Sequence, residues 1–251
     1  SIQMGDANLL SQELKEKVIY NFRANDIKNN GEGAPLTPVY HKLLINKFKI
    51  NNPTLILNIG GISNYTYCFN DTLAAKDIGP GNVLMDEYLK KTKGIDYDKN
   101  GDIASSGNIN KDIINQFYEH EFYNVQQKHS FDRNEFDFSF VKGLEFEDAV
   151  ATLTYFTALI ISQNIKKNFD NEIEIILCGG GRRNLALVNH IKKLLKYKIK
   201  LIDEFSVDGD FIESQAFAYL SIRSYLNKII SYPTTTNVLN PVTGGEIKIN
   251  Y

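Results

Sequence analysis

Apolar residues fall into two rhythms along this chain. Leu55 to Ile59 and Ile173 to Cys178 are short, nearly continuous apolar runs, of a length that suits buried strands. After Gly60-Gly61 the run Tyr65 to Phe69 resumes with aromatic and β-branched residues, and Asn70-Asp71 has the chemistry of a hairpin turn. Lys17 to Phe22 and the alternating stretch Lys198 to Ile202 read as further strands. The second rhythm is helical. Phe146, Ala149, Val150, Leu153, Phe156, Thr157 and Ile160 recur at three- and four-residue spacing, which predicts a long helix with one apolar face. Leu187, Val188, Ile191, Leu194 and Leu195 predict another, and helices are also expected over 38–48, 83–91 and 210–226. Asn82 stands where an N-cap belongs and Gly94 where a helix would stop. Hairpin strands first, then strand and helix in alternation, imply an α/β fold with a mixed sheet covered by helices.

Loops carry the candidate chemistry, and three of them are rich in glycine. Gly60-Gly61 lies in Asn58-Ile59-Gly60-Gly61-Ile62-Ser63-Asn64 between two strands. Its exposed amides suit phosphate oxygens, although a tight turn without a ligand has the same residues. Asp77-Ile78-Gly79-Pro80-Gly81-Asn82 places a carboxylate between a strand ending near 77 and a rigid loop. Such a group either takes a proton from an attacking water or hydroxyl, or accepts backbone amides in its turn. Cys178-Gly179-Gly180-Gly181-Arg182-Arg183-Asn184 joins a strand to a helix, a setting for a nucleotide or for a plain connection. It fits neither GxGxxG nor GxxxxGK[ST], so neither a dinucleotide fold nor a P-loop is implied.

Composition narrows the partners. A chain of 251 residues, 43% hydrophobic and 23% charged, supports one large domain or two modest ones. A formal net charge of −2 gives no general attraction to nucleic acid or to an anionic membrane, and no apolar run approaches the roughly 18 residues of a membrane span. Cys68 and Cys178 have no CxxC spacing and read as buried thiols of a cytoplasmic protein. Asp96, Asp98, Asn100 and Gly101 imitate the start of a calcium loop, but Gly107 occupies the place of its bidentate Glu. His41, His120, His129 and His190 show no metal-binding spacing, so no metal ligand is assigned.

The ordered series of motifs resembles the anhydro-N-acetylmuramic acid kinase family of the sugar kinase/actin/Hsp70 superfamily. Asn58 to Asn64 and Asp77 to Asp86 carry the resemblance. Gln3 to Asp6, Gly33 to Leu36, Tyr97 to Gly101, Ala151 to Thr154, Leu177 to Asn184, Asp208 to Leu220 and Pro241 to Gly244 extend it in order. The resemblance implies a ribonuclease-H-like, actin-like ATPase fold of two lobes, with the N-terminal lobe incomplete. Residues 1–50 would be the remainder of that lobe, 51–228 the C-terminal lobe, and 229–251 a tail returning to the first. The implied reaction opens 1,6-anhydro-N-acetylmuramic acid hydrolytically and phosphorylates its O6 with ATP and Mg²⁺, in cytoplasmic peptidoglycan recycling. Asp77 matches the catalytic aspartate. Asn64, Glu213 and Arg23 match the sugar side, with Ala24 and Asn25 standing where the family has arginines. Gly60, Gly61, Gly79, Gly81, Gly179, Gly180, Gly181 and Asn184 match the nucleotide side. The implied partners are the anhydrosugar and ATP, with a homodimer left open. The family's first phosphate-binding turn has no counterpart here, so the alternatives are a non-catalytic remnant and a sugar or carboxylate kinase with another acceptor.

Overall fold

The computed structural model describes residues 5–127, 131–169 and 172–251; Gln3, Met4 and His129 of the sequence reading lie outside the described residues. The chain divides into two compact units. One comprises residues up to Asn51 with Thr66–Ala75 and Phe211–Tyr251; the other comprises Asn52–Tyr65 and Lys76–Asp210.

The second unit is built on a five-stranded sheet in the order β4-β3-β2-β5-β6, from β2 (Thr54–Ile59), β3 (Ile62–Phe69), β4 (Thr72–Pro80), β5 (Glu174–Cys178) and β6 (Lys198–Leu201). The outer parts of β3 and β4 group with the first unit. Two-residue connections at 60–61 and 70–71 join β2 to β3 and β3 to β4, and links this short allow only antiparallel neighbours. β5 and β6 instead run parallel to β2 and to each other, across helical crossovers. The sheet is therefore mixed, as the run of hairpin strands and then alternating strands and helices implies. Leu55, Leu57, Ile175, Ile176 and Leu177 are fully buried, which explains their unbroken apolar runs. Helices α4 (Val83–Lys93), α5 (Asp102–Ser106), α7 (Phe146–Asn168) and α8 (Leu185–Leu194) share a core of Leu89, Ala104, Val150 and Ala186, while α6 (Lys111–Gln127) packs along α7.

β4 runs to Pro80, beyond the expected loop start at Ile78. A proline lacks the N–H that an interior ladder needs, and β4 is an edge strand, so Pro80 is tolerated there. Asn82 occupies the N-cap position of α4 but caps nothing with its side chain. Gly94 ends that helix with φ of 69°, as the sequence suggests.

In the first unit, β1 (Val18–Tyr20) pairs antiparallel with β7 (Glu246–Lys248), alongside α1 (Ala7–Leu14) and α9 (Ile212–Tyr225). Two short helices, α2 (Ala24–Lys28) and α10 (Pro233–Thr236), are joined through Asp26, whose buried carboxylate accepts from Gly33 N at 2.7 Å and Thr236 Oγ1 at 2.5 Å. On α3 (Pro38–Lys47), His41 is 1% exposed with Nδ1 2.7 Å from Thr66 Oγ1. Burial pushes its pKa down from 6.5 to about 4. The unfolded chain thus takes up a proton that the folded chain refuses, so stability is full above pH 6.5 and falls as pH drops towards 4. The fall reaches about 3 kcal/mol at the low end. Urea denaturation should show this slope, and His41→Gln should flatten it; an equal slope in the variant would assign the acid sensitivity elsewhere.

Candidate functional site

β2, β4 and β5 all run in one direction, because β5 is parallel to β2 and β4 is two antiparallel steps from it. The glycine turns that follow these strands are therefore gathered at one end of the sheet, the carboxyl end, where ligands bind in open α/β sheets.

Main-chain bonds lock the first two turns together. Gly81 N donates to Gly61 O at 2.8 Å, Asn82 N to Gly60 O at 2.8 Å, and Val83 N to Gly61 O at 3.1 Å. Ser63 Oγ, buried on β3, donates to Pro80 O at 3.0 Å. The Gly81 amide is spent on this joint, and what Gly81 contributes is the absence of a side chain: a Cβ there would lie 2.2 Å from Gly60 O. Gly79 holds φ at 124°, a conformation that favours glycine.

The third turn rests on the end of β2. Gly179 has φ of 79°, and a Cβ on it would meet Asn58 Oδ1 at 2.3 Å and Ile59 O at 2.7 Å. A Cβ on Gly181 would lie 2.3 Å from Ile59 Cγ2 and 3.1 Å from Asn82 Oδ1. The Asn82 side chain thus faces the third turn, which is why it leaves α4 uncapped. Asn184 does cap α8: its Oδ1 accepts from Leu187 N at 3.0 Å. Arg182, whose side chain is 2% exposed, fastens the turn from behind. It donates to Gly179 O at 3.1 Å, to both Asp203 oxygens at 2.7 and 3.0 Å, and to Asp210 Oδ1 at 2.8 Å. The planar guanidinium fork suits this bidentate grip. Its hydrogen bond holds the Asp203 carboxyl below the usual carboxylate range.

Beside this turn is a cavity of about 390 Å³. Gly180, Arg183 and Asn184 form one wall, Asn82, Met85 and Asp86 another, and Tyr97 to Asn100 a third. Its size is that of a small-molecule pocket. The acidic stretch that imitates a calcium loop therefore lines a cavity, and its Asp98 carboxylate is occupied with the amides of Ile103 and Ala104 at 2.9 and 3.0 Å. Among the described residues, no group of three or more His, Cys, Asp or Glu side chains converges to hold a metal ion.

Asp77 is half-buried on β4, the strand that delivers Gly79 to Gly81 to the joined turns. Its Oδ2 accepts from the Phe131 amide at 3.1 Å. Asn64 is half-buried on β3, within the same unit. Arg23 and Glu213 belong to the other unit. Arg23 lines a groove of about 840 Å³ with Tyr20, Asn21 and Phe217, and its buried Nε has no hydrogen-bond partner among the described residues. Glu213 is exposed in the first turn of α9.

Sequence reasoning missed the Arg182 clamp, the cavity wall at 96–100 and the Phe131 contact. The doublet Arg182-Arg183 directly after a glycine turn was the one available signal, since a buried arginine requires carboxylate partners; nothing in the sequence names Asp203 and Asp210 as those partners.

The family described as anhydro-N-acetylmuramic acid kinase matches residues 1–249. A protein of that description from Pelagibacter ubique is 52% identical over 262 residues, covering 100% of this chain and 70% of the relative. Another from Zymomonas mobilis is 38% identical, covering 98% of this chain and 67% of the relative. The chain spans about two thirds of the length of these relatives. Among solved structures, the activator of the 2-hydroxyisocaproyl-CoA dehydratase from Clostridium difficile, with bound ADPNP, is similar with a TM-score of 0.43 and 18% identity, over 72% of this chain and 66% of that one.

Proposed function

Given that the chain belongs to the anhydro-N-acetylmuramic acid kinase family, we propose that it opens 1,6-anhydro-N-acetylmuramic acid with water and phosphorylates the freed O6, within peptidoglycan recycling. The observation that supports this reading best is the gathering of three glycine turns at one end of the sheet, on the strand ends that include that of Asp77. In the proposed reaction the Asp77 carboxylate takes a proton from water as the water oxygen bonds to the anomeric carbon. The C1–O6 bond breaks, and O6 becomes the phosphoryl acceptor. Bound ATP supplies the γ-phosphoryl group.

Gly180, Arg183 and Asn184 at the cavity would hold the adenosine, and Gly60-Gly61 with Gly79 would face the phosphates. Gly81 takes part by letting the first two turns touch. Mg²⁺ enters this reading as the partner of the nucleotide's phosphates, because that ion commonly relies on substrate oxygens and one or two carboxylates. Asn64, Arg23 and Glu213 are proposed for the sugar.

Mass spectrometry of a reaction containing ATP and the anhydrosugar tests the proposal. The expected product is heavier than the sugar by one water and one phosphoryl group, and ADP appears in equal amount. Faster phosphorylation of glycerol, acetate or an ordinary hexose would move the chain to another acceptor class.

A further inference from the structure

Among the described residues β4 is an edge strand, with β3 on one side of Asp77 and no strand on the other. A carboxylate so placed has rotamers to choose between, and a general base works only when its oxygen is aimed at the proton it removes. One contact that aims it comes from far along the chain: the Phe131 main-chain N–H reaches Asp77 Oδ2 across 54 positions of sequence.

The segment that carries this amide is pinned at several points. A single 3₁₀ turn at Arg133–Glu135 is closed by a capping box on Asp132, with Asn134 N donating to Asp132 Oδ1 at 2.9 Å and Asp132 N to Glu135 Oε1 at 3.0 Å. Aromatic contacts then anchor the segment at intervals. Phe131 meets Phe136 with centroids 5.4 Å apart, Phe138 sits edge-on to Tyr88 of α4 at 5.7 Å, and Phe140 packs on Phe156 of α7 at 5.0 Å. Ring pairs at these distances contribute beyond their buried area. Two helices of the unit's core thus hold the segment whose amide meets Asp77.

We propose that Phe131 is a positioning residue, acting through its main-chain amide to fix the Asp77 carboxylate in its working rotamer. The inference rests on the reading of Asp77 as the base. An amide suits the task because it donates to the ionised carboxylate and offers no competing basic site. Because the donor is backbone, the role does not depend on the identity of the side chain, which serves to seat the loop.

Two variants separate the amide from the ring. Phenyllactic acid at position 131, introduced by semisynthesis or codon reassignment, exchanges the N–H for an ester oxygen and keeps the ring. Phe131→Ala keeps the N–H and removes the ring. The ester is expected to lower kcat about ten-fold, the size of one charge-assisted hydrogen bond, with KM for both substrates unchanged. Phe131→Ala should lose less kcat than the ester, because the N–H remains and Phe138 and Phe140 still anchor the segment. Parental kcat in the ester, or equal losses in both variants, would overturn the proposal. Amide hydrogen exchange gives a reading that needs no turnover. Protection of the Phe131 N–H in the parent should be lost in Asp77→Ala while the amides of α7 stay protected. Unchanged protection would overturn the proposal. A parent chain that turns over no anhydrosugar yet shows this loss would refute the assigned reaction and leave the contact standing.

Discussion

Asp77→Asn is expected to lower ATP-dependent turnover of the anhydrosugar by about 10²–10⁴-fold, the usual contribution of a positioned general base. The substitution is nearly isosteric, and the amide oxygen of Asn still accepts from Phe131 N, so the contact at 3.1 Å is retained. What the substitution removes is the basicity and negative charge of the carboxylate. Affinity for a fluorescent ATP analogue should therefore stay close to that of the parent, and so should the thermal midpoint. Steady-state kinetics beside a binding titration checks both halves. Near-parental turnover in the variant would remove Asp77 from its role, whereas weakened nucleotide binding would point to a disturbed site.

Gly81→Ala should severely damage the joint between the first two turns. The new methyl would stand 2.2 Å from Gly60 O and 3.1 Å from both Gly60 C and Gly61 O, all of them backbone atoms that cannot rotate aside. Relief requires the two turns to separate, which stretches the bonds from Gly81 N, Asn82 N and Val83 N. A stability cost of about 3 kcal/mol follows from overpacking and weakened buried hydrogen bonds. Nucleotide affinity should fall about ten-fold, because the first and second turns no longer share one geometry. Gly60→Ala is the control. Its Cβ would meet Ile62 O at 3.5 Å, an ordinary contact, and the expected cost stays below about 1 kcal/mol. Urea denaturation of both variants decides it; equal costs would mean that close approach at Gly81 is not what holds the turns.

The sequence revealed elements wherever burial imposed a rhythm. Leu55 to Ile59, Ile173 to Cys178 and the stripe from Phe146 to Ile160 face the core, and each lies in the element its pattern suggests. Legibility failed where tertiary contacts overrode local chemistry. β1 and β7 are three residues each and pair Val18 with Lys248, a contact no local pattern could carry. Gly79-Pro80 reads as a break and is strand, because an edge position removes the penalty on proline. Asn82 has a cap's chemistry and position, but its side chain faces the third turn. The glycine turns were each visible as glycines. That they meet depends on strand order and direction, which the sheet supplies.

All of these turns take their position from the last residues of β2. Asn58 and Ile59 abut the third turn, while Gly60 and Gly61 receive the second. The strand acts as a common datum, so an error in its placement is shared by the whole end of the sheet. A one-residue slip of β2 against β5 would move every one of these contacts by about 3.3 Å and turn Leu55 and Leu57 to the opposite face. Misalignment of the strand would therefore disturb the whole end of the sheet together, where a change within one turn is felt locally.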